Sequence, residues 1–199
     1  MLIEKMSSML VGRLVNNEVI DQDDEIEINH YKYGVELILS SVITTILLLV
    51  TSILFNHIES CLIFLFTFVP IRKLTGGFHA NTYLLCNLSS VISFVIILLF
   101  SYYINISLSS RIIAVVLLFQ ISILLCISPV DNKNKPIDDK DNYFHLKLRG
   151  VILYIAYGII SILFINTWVG KNVFYTLEVI FILSLSGFIK EGGHKYAGA

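Results

Sequence analysis

His79 and Cys86 are the two side chains whose types and spacing could break and remake an acyl bond. They share one polar, glycine-broken window, Arg72-Lys73-Leu74-Thr75-Gly76-Gly77-Phe78-His79-Ala80-Asn81-Thr82-Tyr83-Leu84-Leu85-Cys86, wedged between long apolar runs. A thiol of ordinary pKa, about 8.5, becomes a useful nucleophile when a nearby base or cation favours the thiolate. His79 is the candidate base, and Arg72 and Lys73 are the candidate cations. The competing reading of the same residues is a helix end carrying a packed cysteine and a surface histidine.

Spacing constrains the mechanism. On a straight helix His79 and Cys86 would return to nearly the same face but lie about 10 Å apart along the axis. A base and its nucleophile need roughly 3 Å between heavy atoms, somewhat more in a resting enzyme. The pair therefore requires a turn or bent first turn at Gly76-Gly77-Phe78-His79 that folds the imidazole toward Cys86, and paired glycines permit one. Asn81 and Asp131 could each orient His79, and nothing in the sequence chooses between them. Arg72 and Lys73 carry two readings of their own: anchors at the end of a membrane span, or site cations that favour the thiolate and pair with an acidic substrate. Arg72 suits the second role better, because its planar fork can pair bidentately with a carboxylate.

The other two cysteines, Cys61 and Cys126, lie inside apolar runs and read as small hydrophobes. With no CxxC and no histidine cluster at metal-ligand spacing, a structural metal or redox centre has no support and no cofactor is expected.

The elements that must hold this window are transmembrane helices. Of 199 residues, 56% are hydrophobic and only 15% charged, and the mean hydropathy is +0.79. That balance excludes an ordinary soluble domain and carries no sign of a nucleic-acid partner; the expected surroundings are a lipid bilayer. Runs long enough to cross a hydrocarbon core of roughly 30 Å lie at Gly34 to Phe55, Leu88 to Ile104, Ile112 to Ser128, Val151 to Ile165 and Val173 to Ile189. A sixth, Ile58 to Ile71, is short, begins near His57 and Glu59 and ends on Pro70; it is either a full span or a re-entrant piece packed inside the bundle. The expected fold is an all-α integral membrane protein of about six spans, one polytopic domain over residues 1–199. The polar connections Asn16 to Lys32 and Pro129 to Arg149 are too short for cores of their own.

Charge placement tests that count. Along the chain the cations fall on alternate connections: Lys5, Arg13 and Lys32, then Arg72 and Lys73, then Lys133, Lys135, Lys140, Lys147 and Arg149, then Lys190 and Lys195. Of the 14 lysines and arginines only Arg111 and Lys171 lie on the other side. By the positive-inside rule both termini and the segment 72–86 are expected in the cytoplasm, so a substrate would come from inside the cell.

The first strong apolar run follows the acidic cluster Asp21, Asp23, Asp24, Glu25 and Glu27, so residues 1–20 do not read as a cleavable signal. Leu2, Ile3, Met6, Met9, Leu10 and Leu14 recur at helical spacing, giving an amphipathic helix that lies in the interface or packs on the bundle. Glu36, Gln120 and Glu178 are intramembrane polar groups, candidates for function or for hydrogen bonds between helices. His30, His57 and His194 read as surface histidines, and His145 as facing the inner-leaflet headgroups. Two rival classes fit the composition: a transporter, which would repeat polar groups at mid-membrane depth, and a non-enzymatic scaffold, in which Cys86 would be dispensable.

The window, with Pro129-Val130-Asp131-Asn132-Lys133-Asn134-Lys135-Pro136 in the next large loop, resembles AgrB, the accessory gene regulator membrane endopeptidase of Gram-positive quorum sensing. The likeness extends over essentially the whole chain, and the Arg-Lys, Gly-Gly, His-Ala-Asn and Cys elements occur in order at family spacing. The resemblance implies a cysteine peptidase of the bacterial cell membrane that trims the C-terminal tail of an AgrD-like propeptide and cyclises the remainder. By that resemblance Cys86 is the nucleophile, His79 the general base, and Arg72, Lys73, Gly76 and Gly77 support the site. It also suggests a homodimer.

Overall fold

The structure is a computed structural model that describes residues 2–17, 24–77, 82–104, 109–130 and 140–190. Among them the elements are α1 (Leu2–Asn16), α2 (Glu25–Leu54), α3 (Ile58–Thr75), α4 (Tyr83–Leu98), which continues as a π-helical turn over Leu99–Tyr103, α5 (Ser110–Ile127), α6 (Lys140–Leu163) and α7 (Trp168–Lys190). This is an all-α membrane protein.

The helix ends follow local chemistry rather than apolarity alone. Asp24 accepts the N–H groups of Ile26 and Glu27, and Glu25 and Glu27 sit in the first turn where negative charge is favoured. Helix α2 therefore starts at Glu25, well before the apolar run at Gly34. Its far end turns at Asn56, whose φ of 57° suits asparagine. Thr82 caps α4 by accepting the Leu85 N–H at 3.3 Å, which starts that helix at Tyr83.

Among the described residues five helices are long and apolar enough to cross a membrane: the α2 helix, α4 with its π turn, α5, residues Tyr143–Leu163 of α6, and α7. Helix α3 has 18 residues, about 27 Å at 1.5 Å per residue, but carries Glu59, Arg72 and Lys73. It nevertheless runs between the same two ends of the bundle as its neighbours. Ser60 near its start bonds Tyr102 of the π turn and Asn172 of α7, whereas Thr75 at its end meets Val130, beyond α5, and Gly150 of α6. The helix therefore reaches from one end of its neighbours to the other. Pro70 does not break it, although proline removes the hydrogen bond to the carbonyl four residues back. That carbonyl, of Phe66, accepts the Tyr157 hydroxyl of α6 at 2.8 Å instead.

Helices α3 and α7 form the middle of the bundle. One apolar cluster joins α3, α5, α6 and α7 around Ile71, Leu124, Tyr154, Leu177 and Ile180; a second joins α2, α3 and α4 around Leu48, Cys61, Phe64, Phe94 and Ile97. Large apolar side chains also face outward, among them Ile38, Phe66, Val115, Phe119 and Leu163, as expected where the surrounding solvent is lipid. Helix α1 packs on α2, burying Ser7 and Val11, while Met6, Met9 and Leu10 stay exposed.

The intramembrane polar groups bond across helices. Gln120 donates to Glu178 at 2.7 Å and accepts the Tyr154 hydroxyl at 2.6 Å; Glu36 accepts from Ser7 and Tyr83. His57 is not the surface histidine its flanks suggest. It stacks on Tyr102 with ring centroids 3.7 Å apart, and its Nδ1 lies 3.2 Å from Glu59.

Candidate functional site

The helix break required by the spacing of His79 and Cys86 is present: α3 stops at Thr75 and α4 starts at Tyr83. Gly76 and Gly77 have φ values of 67° and 126°, a region that favours glycine. Space demands glycine as strongly. A Cβ on Gly76 would fall on the Val130 carbonyl, and one on Gly77 would fall on the Arg72 guanidinium and within 2.9 Å of the Ser184 Cα.

Arg72, in the last turn of α3, is half-buried and curls back over this break, donating from Nη1 to the Gly76 carbonyl. The Gly76 N–H in turn bonds the Arg72 carbonyl at 3.2 Å. The segment leaving α5 closes the other side: Val130 donates its N–H to the Thr75 carbonyl at 2.9 Å and pairs with Gly76 as an isolated parallel bridge. Gly150 of α6 completes the packing, with so little room that a Cβ there would lie 3.2 Å from Leu74 and Thr75.

Cys86 lies just past the first turn of α4, half-buried, its N–H bonded to the Thr82 carbonyl at 3.1 Å and its carbonyl accepting the Ser89 and Ser90 hydroxyls. The structure thus joins Arg72 to Gly76 and Gly77 at the break and places Cys86 on the helix that follows it. Lys73 is exposed, one residue and therefore about 100° around α3 from Arg72. His79, Asn81 and Asp131 lie outside the described residues. Cys61 is fully buried in an apolar cluster and Cys126 is exposed on α5. Among the described residues no group of histidine, cysteine and carboxylate side chains could hold a metal ion.

Ser184 and Gly150 escape sequence reasoning because each lies far along the chain from the window; Val130 belongs to the Pro129–Pro136 stretch that carries the family resemblance, but only the fold shows that it closes on Gly76.

The fold and this arrangement define a class: multi-pass α-helical membrane proteins in which a glycine break, spanned by an arginine, precedes a helix that carries a cysteine. The description "Accessory gene regulator B" matches residues 7–189, and the chain belongs to this AgrB family of quorum-sensing accessory gene regulation. It is similar to AgrB-like protein 2 of Clostridium perfringens strain 13, 30% identical over 170 residues that cover 81% of this chain and 78% of that one. An AgrB-like protein of Clostridium beijerinckii is 27% identical over 177 residues, covering 87% of this chain and 85% of that one. No solved structure matches the chain.

Proposed function

We propose that this protein is a membrane cysteine endopeptidase that removes the C-terminal tail of an AgrD-like propeptide and closes the remainder into a ring. The observation that carries the reading is the Gly76-Gly77 break, over which Arg72 folds, set directly before the helix that carries Cys86. A base is still needed to take the proton. His79 is tethered between Gly77, which packs against Arg72, and Thr82, which caps the helix carrying Cys86.

In the proposed reaction the His79 imidazole accepts the Cys86 proton, and the thiolate attacks the carbonyl joining the peptide's core to its tail. The tetrahedral adduct collapses as the imidazolium protonates the leaving amine, which releases the tail with a new amino terminus and leaves an acyl-thioester on Cys86. A thiol or hydroxyl of the core, giving its proton to the imidazole, then attacks the thioester. The C–S bond to the enzyme breaks, the Cys86 sulfur recovers that proton, and the product is a thiolactone or lactone. No water is consumed. An intramolecular nucleophile held in good geometry outruns hydrolysis by a large effective molarity, and a site at a membrane edge excludes water that would divert the intermediate.

The cation distribution supports a cytoplasmic position for both termini and the site, and the family resemblance supports a homodimer. The test is co-expression with an epitope-tagged short precursor. Tail release is expected from the wild type and a loss of about 10²- to 10⁴-fold, the usual worth of a general base, from His79→Ala. Cys86→Ser is expected to form no ring and to release no tail; tail release retained by Cys86→Ser overturns the cysteine-peptidase reading.

A further inference from the structure

Glu36, Ser40 and Thr44 recur at every fourth residue of α2 and therefore share one face. All three reach α4. Tyr83 donates its hydroxyl to Glu36 Oε2 at 2.9 Å. Ser40 and Thr44 donate to Asn87 Oδ1 at 2.9 and 2.8 Å, the Thr44 proton being shared with the Ser40 carbonyl. Ser40 and Asn87 are buried. From α1, Ser7 donates to the other oxygen of Glu36 at 2.9 Å, which holds that carboxylate in place.

Tyr83 and Asn87 are one helical turn apart and bracket Cys86, which at 100° per residue lies about 60° around α4 from Tyr83 and about 100° from Asn87. Rotation of α4 about its own axis is what decides where the sulfur points. Apolar packing holds the far half of α4, where Phe94, Ile97 and Leu98 are buried, but does little at the turns around Cys86, because Leu84, Leu85 and Leu88 are exposed and a leucine meets lipid as readily on one face as on another. Polar bonds specify it strongly: away from water a broken one has no substitute partner. We infer that Glu36, Ser40 and Thr44 on α2, with Tyr83 and Asn87 on α4, form a polar ladder of positioning residues that sets the roll of α4 and with it the position of the Cys86 sulfur. Asn87 is the principal rung, since its one oxygen takes two bonds. None of the five acts on the substrate. The inference rests on Cys86 being the nucleophile proposed above.

The experiment uses the full chain in membranes and reads two quantities. One is the pH profile of Cys86 alkylation by iodoacetamide, followed on the Cys86 peptide by mass spectrometry; the other is tail release from the precursor, resolved into kcat and KM. In Asn87→Ala the helix is released to roll and the thiol changes its surroundings, so the alkylation midpoint shifts by about one pH unit, the scale of a changed charge environment. The value of kcat falls about 10²-fold, as for a small misplacement of a reacting group, while KM is retained. Removing both donors in the Ser40→Ala, Thr44→Ala double variant reproduces this. Asn87→Asp, which keeps the accepting oxygen, restores most of the rate. An Asn87→Ala protein with the wild-type alkylation profile and kcat overturns the ladder. If Asn87→Ala fails to fold, the two single hydroxyl deletions decide, because each leaves Asn87 in place; wild-type profiles in both, and in their combination, overturn it equally. If the wild type releases no tail, the peptidase reading falls, and the alkylation profiles still decide whether the ladder orients Cys86.

Discussion

The far end of the bundle and the glycine break hold similar residue types and are tied together in different ways. At the end where α3 and α7 begin, the ties run from side chain to side chain. Tyr102 bonds Ser60 at 2.9 Å and Glu59 at 3.3 Å, Asn172 donates to Ser60 at 2.9 Å, and His57 stacks on the Tyr102 ring. These groups are occupied in joining α3, α4 and α7. At the glycine break where α3 stops, although side chains join α2 to α4 nearby, the ties terminate on backbone: Val130 to the Thr75 carbonyl, Gly76 to the Arg72 carbonyl and Arg72 to the Gly76 carbonyl. Backbone ties fix geometry without consuming the Cys86 thiol. A histidine beside polar partners therefore marks a structural staple at one end, and a cysteine at a glycine break marks the candidate site at the other.

The strongest way to break this contrast is Gly77→Ala. At a φ of 126° the added methyl is strained, and it would collide with Arg72 and the Ser184 backbone. The expected loss of stability is about 3 kcal/mol or more, read by thermal unfolding in detergent, together with loss of tail release. Wild-type unfolding and processing in this variant would show that the break does not depend on that close packing.

A charge exchange sharpens the contrast at the site end. Arg72→Lys is expected to lower tail release about 100-fold, the scale of removing one charge-stabilising donor, whereas Lys73→Arg keeps it, since Lys73 is exposed. Equal loss from both substitutions, with insertion topology unchanged, would contradict a special role for Arg72. The smallest effect is predicted at the far end. Tyr102→Phe removes a hydroxyl that serves Ser60 and Glu59 but keeps the ring on His57, so stability should fall by about 1–2 kcal/mol with tail release intact. A larger loss of tail release from Tyr102→Phe than from Arg72→Lys would mean that the two ends are not separable.

Much of this architecture was legible before any coordinates. Apolar runs and alternating cations located the helices in order, because a bilayer imposes length and charge rules on every span. Helix ends were less legible. Apolarity reports where lipid is crossed, while Asp24 and Thr82 caps extend α2 and α4 beyond it. Helix α3 was the ambiguous element, since Pro70 and three charges weaken the span signal and the group that accommodates the proline, Tyr157, lies on another helix.

By itself the sequence determined that this is an all-α membrane protein, that its chain must break at Gly76-Gly77, and that Cys86 stands just beyond the break. These follow from composition and from neighbours along the chain. Only tertiary structure decided that Arg72 rather than Lys73 turns toward the break, that Val130 and Ser184 close around the glycines, and that α2 grips Tyr83 and Asn87 on either side of Cys86. Those relations join residues from separate helices, and a one-dimensional pattern carries helix periodicity but not the roll of one helix against another.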